Sequence, residues 1–267
     1  MPAQLSLEFT ADELYLLYSF FGPALAFGLG EPYLGKFIEE IEAAQRAALE
    51  SLVARDLIRV DENHQVMMDE VLAKIIQTCA QPSATIIITI QRRTYNQVIH
   101  YLNFGPEMLV QHTPLASHQH RLVALPPDAG LARIAKILHL NGQSAATGDS
   151  FSIDQEKLFQ ARDAVFNNNL ANAQQILAAS GLSESQTRQI ARALTNAISN
   201  SSTVILANRN APDTPHVNGI GVLDSPEGLW AMNLHPHEKE TRIEFVPSSA
   251  AEIFRRLHTL IGPLFVS

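Results

Sequence analysis

The stretch ATIIIT at residues 84–89 decides the predicted fold, because STVILA at residues 202–207 repeats its pattern 118 residues later. The Pro-Glu pair at 106–107 returns 120 residues later, and RLVALP at 121–126 returns as RIEFVP 121 residues later. Runs of β-branched residues bounded by Pro or Gly favour strands. A long pattern that occurs only twice predicts two halves related by a pseudo-twofold axis, since a solenoid needs at least three shorter units.

Each half is predicted to contain helices, an antiparallel meander and one closing helix, which is an α+β plan. The first half has helices near 37–54 and 68–79, strands near 84–92, 97–104, 107–112 and 120–125, and a helix over 127–140. The second half has helices near 154–167, 169–179 and 184–199, strands near 202–208, 217–223, 229–234 and 241–246, and a helix over 248–261.

Local signals mark the ends of several elements. Thr10 with Glu13 predicts a capping box at the start of the first helix, and FSID at 151–154 echoes this start in the second half. The small, polar residues 141–148 predict a linker, which divides the chain into halves 1–147 and 148–267. One continuous domain fits the sequence equally well.

The composition is that of a globular cytoplasmic protein. The 267 residues are 46 % hydrophobic and 17 % charged, enough to bury a sizeable core. The first residues lack the basic region of a signal peptide. Leu14–Gly30 carries no charge, but its acidic flanks and internal Gly22-Pro23 predict a buried helix, a break and a loop, not a membrane span. Cys79, the single cysteine, is predicted to be a buried apolar residue.

The acidic excess lies entirely in residues 1–80, which carry five basic and thirteen acidic side chains. This matters because segment 37–70 fits a winged helix-turn-helix pattern. A DNA-binding domain of this kind needs Lys and Arg side chains to neutralise DNA phosphates. Because this segment lies in the acidic part of the chain, nucleic-acid binding is not expected. A transcriptional or ligand-sensing regulator built on segment 37–70 nevertheless stays open as the alternative function.

Motifs that could carry chemistry are weak. GDS at 148–150 and DTPH at 213–216 match blocks of some serine hydrolases, but no buried strand precedes the serine, so no catalytic residue is assigned. The paired motifs HQH at 118–120 and HPH at 235–237 could share a metal, although no cysteine completes four ligands. We therefore predict no enzyme activity, no metal and no cofactor. Trp230 is predicted to lie in the core.

Three segments carry a resemblance to a known family: ALESLVARDLI at 48–58, ILAASGL at 176–182 and VLDSPEGLW at 222–230. They resemble the EspG family, the cytosolic chaperones of type VII (ESX) secretion. The last segment is similar to the family's aspartate, proline and glycine turn between two strands, with Leu229-Trp230 where the family tends to have arginine after the glycine. The resemblance covers nearly the whole chain.

The resemblance implies a non-enzymatic protein that holds a helical secretion substrate in the cytosol. The loop after the first meander strand is the candidate contact, with Arg92, Arg93 and Tyr95, because Arg and Tyr are enriched at interface hot spots. A solvated hairpin turn is the alternative for this loop. The helices at 154–199 are the second candidate. The sequence does not decide the oligomeric state.

Overall fold

The computed structural model describes residues 5–22, 27–63, 65–91, 97–116, 118–195, 201–208, 218–236 and 241–262. These residues form two compact units. Unit 1 lies within Met1–Ile87, Ile99–Gly130 and Ala207–His216, and unit 2 within Ile88–Val98, Leu131–Leu206 and Val217–Ser267. Among the helices described, none combines the length and the apolar character needed to cross a bilayer. The halves 1–147 and 148–267 stay a prediction.

The first part of the chain follows the predicted order, with one added strand at its start and shifted ends. Its elements are β1 (Ser6–Thr10), α1 (Ala11–Ser19), α2 (Ile38–Ala54), β2 (Ile58–Val60), β3 (Val66–Met68), α3 (Glu70–Ala80), β4 (Ala84–Gln91), β5 (Gln97–Phe104), β6 (Leu109–Pro114), β7 (Gln119–Leu125) and α4 (Gly130–Ile137). A 3₁₀ turn over Pro127–Ala129 precedes α4, so the helix predicted over 127–140 begins as a tighter turn.

The second part likewise keeps the predicted order. Its elements are β8 (Phe151–Asp154), α5 (Gln155–Phe166), α6 (Leu170–Ala179), α7 (Glu184–Thr195), β9 (Ser201–Asn208), β10 (Asn218–Ser225), β11 (Gly228–Pro236), β12 (Thr241–Pro247) and α8 (Ala250–Ile261). Gly181 ends α6 with φ +85°, and Ser183 Oγ accepts from the Gln186 amide at the start of α7. Gly181 thus acts as a C-terminal stop and Ser183 as an N-cap.

Two short strands were missed. β1 pairs with β7 and β8 pairs with β12, both antiparallel, and each runs directly into a helix. The capping box that predicts the start of α1 is present, since Glu13 N donates to Thr10 Oγ1 at 3.1 Å. Both strands were missed because four or five residues are too few to show an alternating pattern next to a helix.

Both sets of five strands have the same order. The first is β1-β7-β6-β5-β4, and the second is β8-β12-β11-β10-β9. In each set the short first strand precedes a helix and pairs with the last strand of its set. The α+β fold class is thereby confirmed. An internal duplication would give this shared order, although the duplication and its pseudo-twofold axis stay predictions.

Each unit has its own hydrophobic core. In unit 1, Phe9 of β1, Leu14 of α1 and Leu52 of α2 pack with α3, and Cys79 is 2 % exposed among them. Burial raises the pKa of the Cys79 thiol to about 12, consistent with its predicted role as an inert apolar residue. In unit 2, Trp230 is 1 % exposed, which confirms its core position.

Residues 141–148, which are predicted to be a linker, are held by hydrogen bonds against the turn between β10 and β11. Gly228 has φ +122°, and a Cβ there would lie 2.6 Å from the Ala145 carbonyl oxygen. Leu229 N donates to Ser144 O, and Ala146 N donates to Leu229 O, both at 3.0 Å. Residues 141–148 are thus hydrogen-bonded within unit 2, and only glycine fits at position 228.

Candidate functional site

A cavity of about 290 Å³ opens into the core of unit 2. Its walls come from two helices and from the sheet beneath them. The described residues that line it are Thr89, Gln91, Gln97, Gln155, Leu158, Phe159, Arg162, Leu194, Gly221, Leu223, Met232, Ile243 and Phe245. The volume is at the small end of the range for ligand pockets, so it suits one or two side chains of a partner better than a large cofactor.

Gly221, a glycine in the cavity lining, lets the side chain of Met232 pack closely against the backbone of β10. Gly221 of β10 pairs with Met232 of β11, and a Cβ on Gly221 would approach the Met232 side chain to 2.8 Å. The neighbouring floor residues Leu223, Ile243 and Phe245 are between 0 % and 6 % exposed. The floor is therefore apolar, and Met232 fills the space above Gly221 where a Cβ would lie.

The rim combines an exposed aromatic ring with a cation. Phe159 of α5 is 40 % exposed. The Arg162 guanidinium carbon lies 4.8 Å from the centroid of this ring and 5.9 Å from that of Phe166. Arg162 also donates to Gln91 Oε1 at 3.1 Å. The charge is thus held over a ring at the cavity mouth, an arrangement that favours contact with another protein.

The remaining polar groups of the cavity are amides and a hydroxyl. Gln91, Gln97 and Gln155 supply the amides and Thr89 the hydroxyl, while the described lining residues include no carboxylate, imidazole or thiol. Arg162 Nε is buried and has no hydrogen-bond partner among the described residues. These groups can orient a bound segment, but they supply no general base or nucleophile.

The predicted contact residues Arg92, Arg93 and Tyr95 lie outside the described residues. The two residues that flank their loop, Gln91 at the end of β4 and Gln97 at the start of β5, both line the cavity. The second candidate, the helices at 154–199, contributes α5 and α7 to the same walls. Residues of the second candidate site and the two residues that flank the first therefore line one cavity, and the role of both sites in binding is still a prediction.

Sequence reasoning did not find Phe159, Arg162 or Gly221. A signal for the first two was present, since Phe159, Arg162 and Phe166 follow each other at helical spacing and share a face of α5. Gly221 gave no such signal, because its role depends on the approach of Met232 from the paired strand.

The winged-helix-like segment does not offer a basic surface. Arg55 Nη1 lies 3.1 Å from Glu13 Oε1, and Arg59 pairs with Asp56 at 3.2 Å. Lys74, at the start of α3, contacts Glu70 and Glu107 at 2.9 and 2.8 Å. Three of the five basic side chains in the first 80 residues are therefore already paired with carboxylates, which leaves little charge for phosphate contacts.

The first histidine motif is engaged inside unit 1. His120 Nδ1 lies 2.9 Å from His112 Nε2, and His112 is fully buried. Burial, and then the neighbouring His120, lower the pKa of His112 to about 3. His237 of the second motif lies outside the described residues. Within the described ranges, no group of three or more His, Cys, Asp or Glu side chains could hold a metal ion.

Comparison with known proteins identifies a family and similar solved structures. The sequence profile of the EspG family matches residues 10–259. The structure is similar to a chain in the solved structure of the Mycobacterium tuberculosis type VII secretion system chaperone EspG5 in complex with the PE25-PPE41 dimer. The two chains are 12 % identical, the match covers 96 % of each, and the TM-score is 0.64, which shows a common fold. No curated protein sequence matches significantly.

Proposed function

Because the chain belongs to the EspG family, we propose that it is a cytoplasmic chaperone of type VII secretion that holds a helical secretion substrate. The apolar cavity of unit 2 carries this proposal, since it offers a seat for the apolar tip of a partner. The solved EspG5 chain, which has the same fold, was captured with a PE25-PPE41 dimer. A protein of that class is the expected partner here.

The cavity supports binding by its shape and its chemistry. Its apolar floor can bury one or two apolar side chains of a partner, and each fully buried side chain would stabilise the complex by about 1.5–3 kcal/mol. Phe159 and Arg162 at the rim can then close over the inserted group. Such a central apolar seat with an aromatic and cationic rim is typical of interface hot spots.

The same lining supports a role without catalysis. Amide groups and a guanidinium can hydrogen-bond to main-chain or carboxylate oxygens of a partner. They do not provide an acid-base pair at pH 7, because glutamine does not titrate and arginine keeps its proton. The proposed activity is therefore protection of an apolar surface, without chemical change of the partner.

We include the loop residues Arg92, Arg93 and Tyr95 in the proposed contact surface. Their support is the position of Gln91 and Gln97, which bring both ends of the loop to the cavity. Contacts of the partner with this loop and with α5 would then be simultaneous. The loop would add polar contacts around the apolar seat.

The test is calorimetric titration with a purified PE–PPE dimer from the source organism. Phe159→Asp should weaken binding at least about 30-fold, because it removes the aromatic ring from the rim and places a carboxylate beside the apolar seat. Phe254→Asp, on α8, is the matched control, since Phe254 is 39 % exposed against 40 % for Phe159. The control should bind as wild type. Equal binding by the Phe159 variant would refute the cavity as the seat.

A second variant tests the loop. Replacement of Arg92, Arg93 and Tyr95 together by Ala should reduce the binding free energy by more than about 2 kcal/mol. The free energy of unfolding should change by no more than about 0.5 kcal/mol, as for exposed substitutions. Unchanged binding would assign the contact to α5 and α7 alone. If the chain bound no protein but retained duplex DNA at physiological salt, this would favour the alternative function, a regulator built on segment 37–70.

A further inference from the structure

Arg162 is the one charged side chain among the described residues that line the unit 2 cavity. It lies on α5, against the exposed ring of Phe159 and close to the apolar floor. A charged group next to apolar surface costs free energy unless an opposite charge or hydrogen bonds compensate it. The contacts that Arg162 lacks within the chain therefore indicate what a partner can supply.

The chain compensates the charge of Arg162 only in part. Nη1 donates to Gln91 Oε1 at 3.1 Å, but this amide oxygen carries no net charge. Nη2 lies 3.5 Å from Asp163 Oδ1, which is longer than a normal hydrogen bond, and successive residues of a helix do not face each other. The Asp163 side chain is 58 % exposed, so water screens this ion pair and it contributes little.

One edge of the guanidinium, formed by Nε and Nη2, is thus left without a strong acceptor. Nε is buried and has no hydrogen-bond partner in the part of the chain that the structure describes. A buried donor without an acceptor destabilises the unbound chain. Because the Arg162 side chain is 28 % exposed, rotation about its own bonds can turn this edge toward the cavity mouth. The planar edge fits a carboxylate, whose two oxygens accept two parallel hydrogen bonds.

The charge around the cavity mouth is mainly positive. No carboxylate is present among the described lining residues. In the sequence, the five residues between Gln91 and Gln97 are Arg-Arg-Thr-Tyr-Asn, which add two cations and no carboxylate. The exposed Asp163 offsets this charge only partly. An excess of arginine beside an apolar floor complements an acidic group beside an apolar side chain.

We propose that Arg162 determines which partners the cavity accepts, by binding the side-chain carboxylate of an Asp or Glu next to the apolar side chain that the partner inserts. The inference rests on the proposed chaperone function and adds a chemical requirement for the secretion substrate. The apolar side chain occupies the cavity, and the carboxylate stays at the mouth on the Nε and Nη2 edge. A partner with Lys or Arg at this place is rejected, because it leaves two like charges together.

The chemistry is tested on the full chain with two small probes of the same shape. Hydrocinnamate carries a phenyl ring and a carboxylate, and hydrocinnamide has a neutral amide in place of the carboxylate. In titrations followed by protein NMR, hydrocinnamate should bind at least about tenfold more tightly, because a charged bidentate pair is stronger than a neutral hydrogen bond. This preference should shrink when the salt concentration is raised from about 50 mM to about 500 mM.

Variants of Arg162 assign the preference to this side chain. Arg162→Met keeps an unbranched side chain and should abolish the preference, whereas Arg162→Lys should keep only part of it, since lysine lacks the planar edge. Arg188→Gln is the matched control, because Arg188 lies on α7, pairs with Glu184 at 3.1 Å and does not line the cavity. It should leave both affinities unchanged. Urea denaturation checks that each variant is folded, and the comparison of the two probes on the wild type needs no variant.

The protein partner is tested by a double-mutant cycle with the purified PE–PPE dimer. Each Asp and Glu of its apolar tip is replaced in turn by Asn or Gln. Arg162→Met and one of these replacements should each weaken binding at least about tenfold. The two changes together should weaken binding no more than either one alone, because both remove the same contact.

The outcomes separate this inference from the proposed function. Equal binding of hydrocinnamate and hydrocinnamide, or additive losses in every cycle, would overturn the role of Arg162, even if Phe159→Asp weakens binding of the dimer and so supports the chaperone function. A carboxylate preference that Arg162→Met abolishes, in a chain that binds no PE–PPE dimer, would instead refute the chaperone function and overturn the secretion substrate as the source of the carboxylate.

Discussion

The role of Gly228, the turn glycine in VLDSPEGLW at 222–230, can be tested by the addition of one methyl group. In Gly228→Ala, the new Cβ would lie 2.6 Å from Ala145 O and 2.7 Å from Ala146 N. Both neighbours are main-chain atoms, so no side-chain rotation relieves the clash. A non-glycine residue at φ +122° costs about 1–3 kcal/mol in backbone strain.

Relief of the clash requires residues 144–146 to move away from β11. This movement strains or breaks the hydrogen bonds that Leu229 makes with Ser144 and Ala146, each worth about 1 kcal/mol. We therefore expect Gly228→Ala to lower the free energy of unfolding by about 2–4 kcal/mol. Urea denaturation followed by tryptophan fluorescence measures this directly, because Trp230 lies two residues away.

Gly142→Ala is the matched control. Gly142 has φ +78° and no heavy atom within 4 Å of its ideal Cβ, so only the left-handed conformation is penalised. The expected loss is about 1–2 kcal/mol. Equal losses in the two variants would show that the contact between Gly228 and residues 145–146 does not stabilise unit 2, and the reasoning would fail.

Three further outcomes follow from burial and charge. Phe245→Ala should cost about 3–5 kcal/mol in the free energy of unfolding because Phe245 is fully buried, whereas Phe254→Ala should cost less than about 1 kcal/mol. Glu13→Gln should cost about 1.5–3 kcal/mol because it removes the charge of a buried carboxylate that accepts hydrogen bonds from Arg55, Ser51 and the Thr10 amide, whereas Arg59→Ala at an exposed pair should cost about 0.5 kcal/mol or less. Burial lowers the pKa of His112 from 6.5 to about 3 in the folded chain. As the pH falls, the unfolded chain therefore takes up a proton on this histidine at a higher pH than the folded chain. Stability should therefore fall as pH drops below about 6.5, by at most about 1.4 kcal/mol per pH unit, and His112→Leu should reduce this slope in denaturant titrations at pH 4.5–7.

The sequence predicted strands and helices well wherever a single local pattern, such as a run of β-branched residues, dominated a segment. β4 and β9 are rich in β-branched residues between clear breaks, and their observed bounds differ from the predicted ones by one residue at most. β1 and β8 were missed because each is shorter than a recognisable alternation and ends in a helix cap. β6 begins two residues later than predicted, because a turn closed by Gly105 N and Met108 O occupies its expected start.

The candidate site was harder to predict because it depends on pairing between distant residues. The cavity lining includes Gly221 and Met232, which are paired across two strands, and no local pattern in the sequence records that pairing. The helices α5 and α7 were named as a second candidate, but the sequence could not show that they line one cavity with Gln91 and Gln97. Phe159 was overlooked because one apolar residue on an amphipathic helix is ordinarily part of its buried face.

The central claim is that the unit 2 cavity seats a secreted protein partner. A photoreactive benzoyl-phenylalanine placed at Phe159, and in a second variant at Phe254, tests it in the source organism. Irradiation followed by mass spectrometry should identify a crosslink from position 159 to an apolar helical tip of a type VII substrate, with little from position 254. No adduct at position 159, or equal adducts from both positions, would contradict the claim.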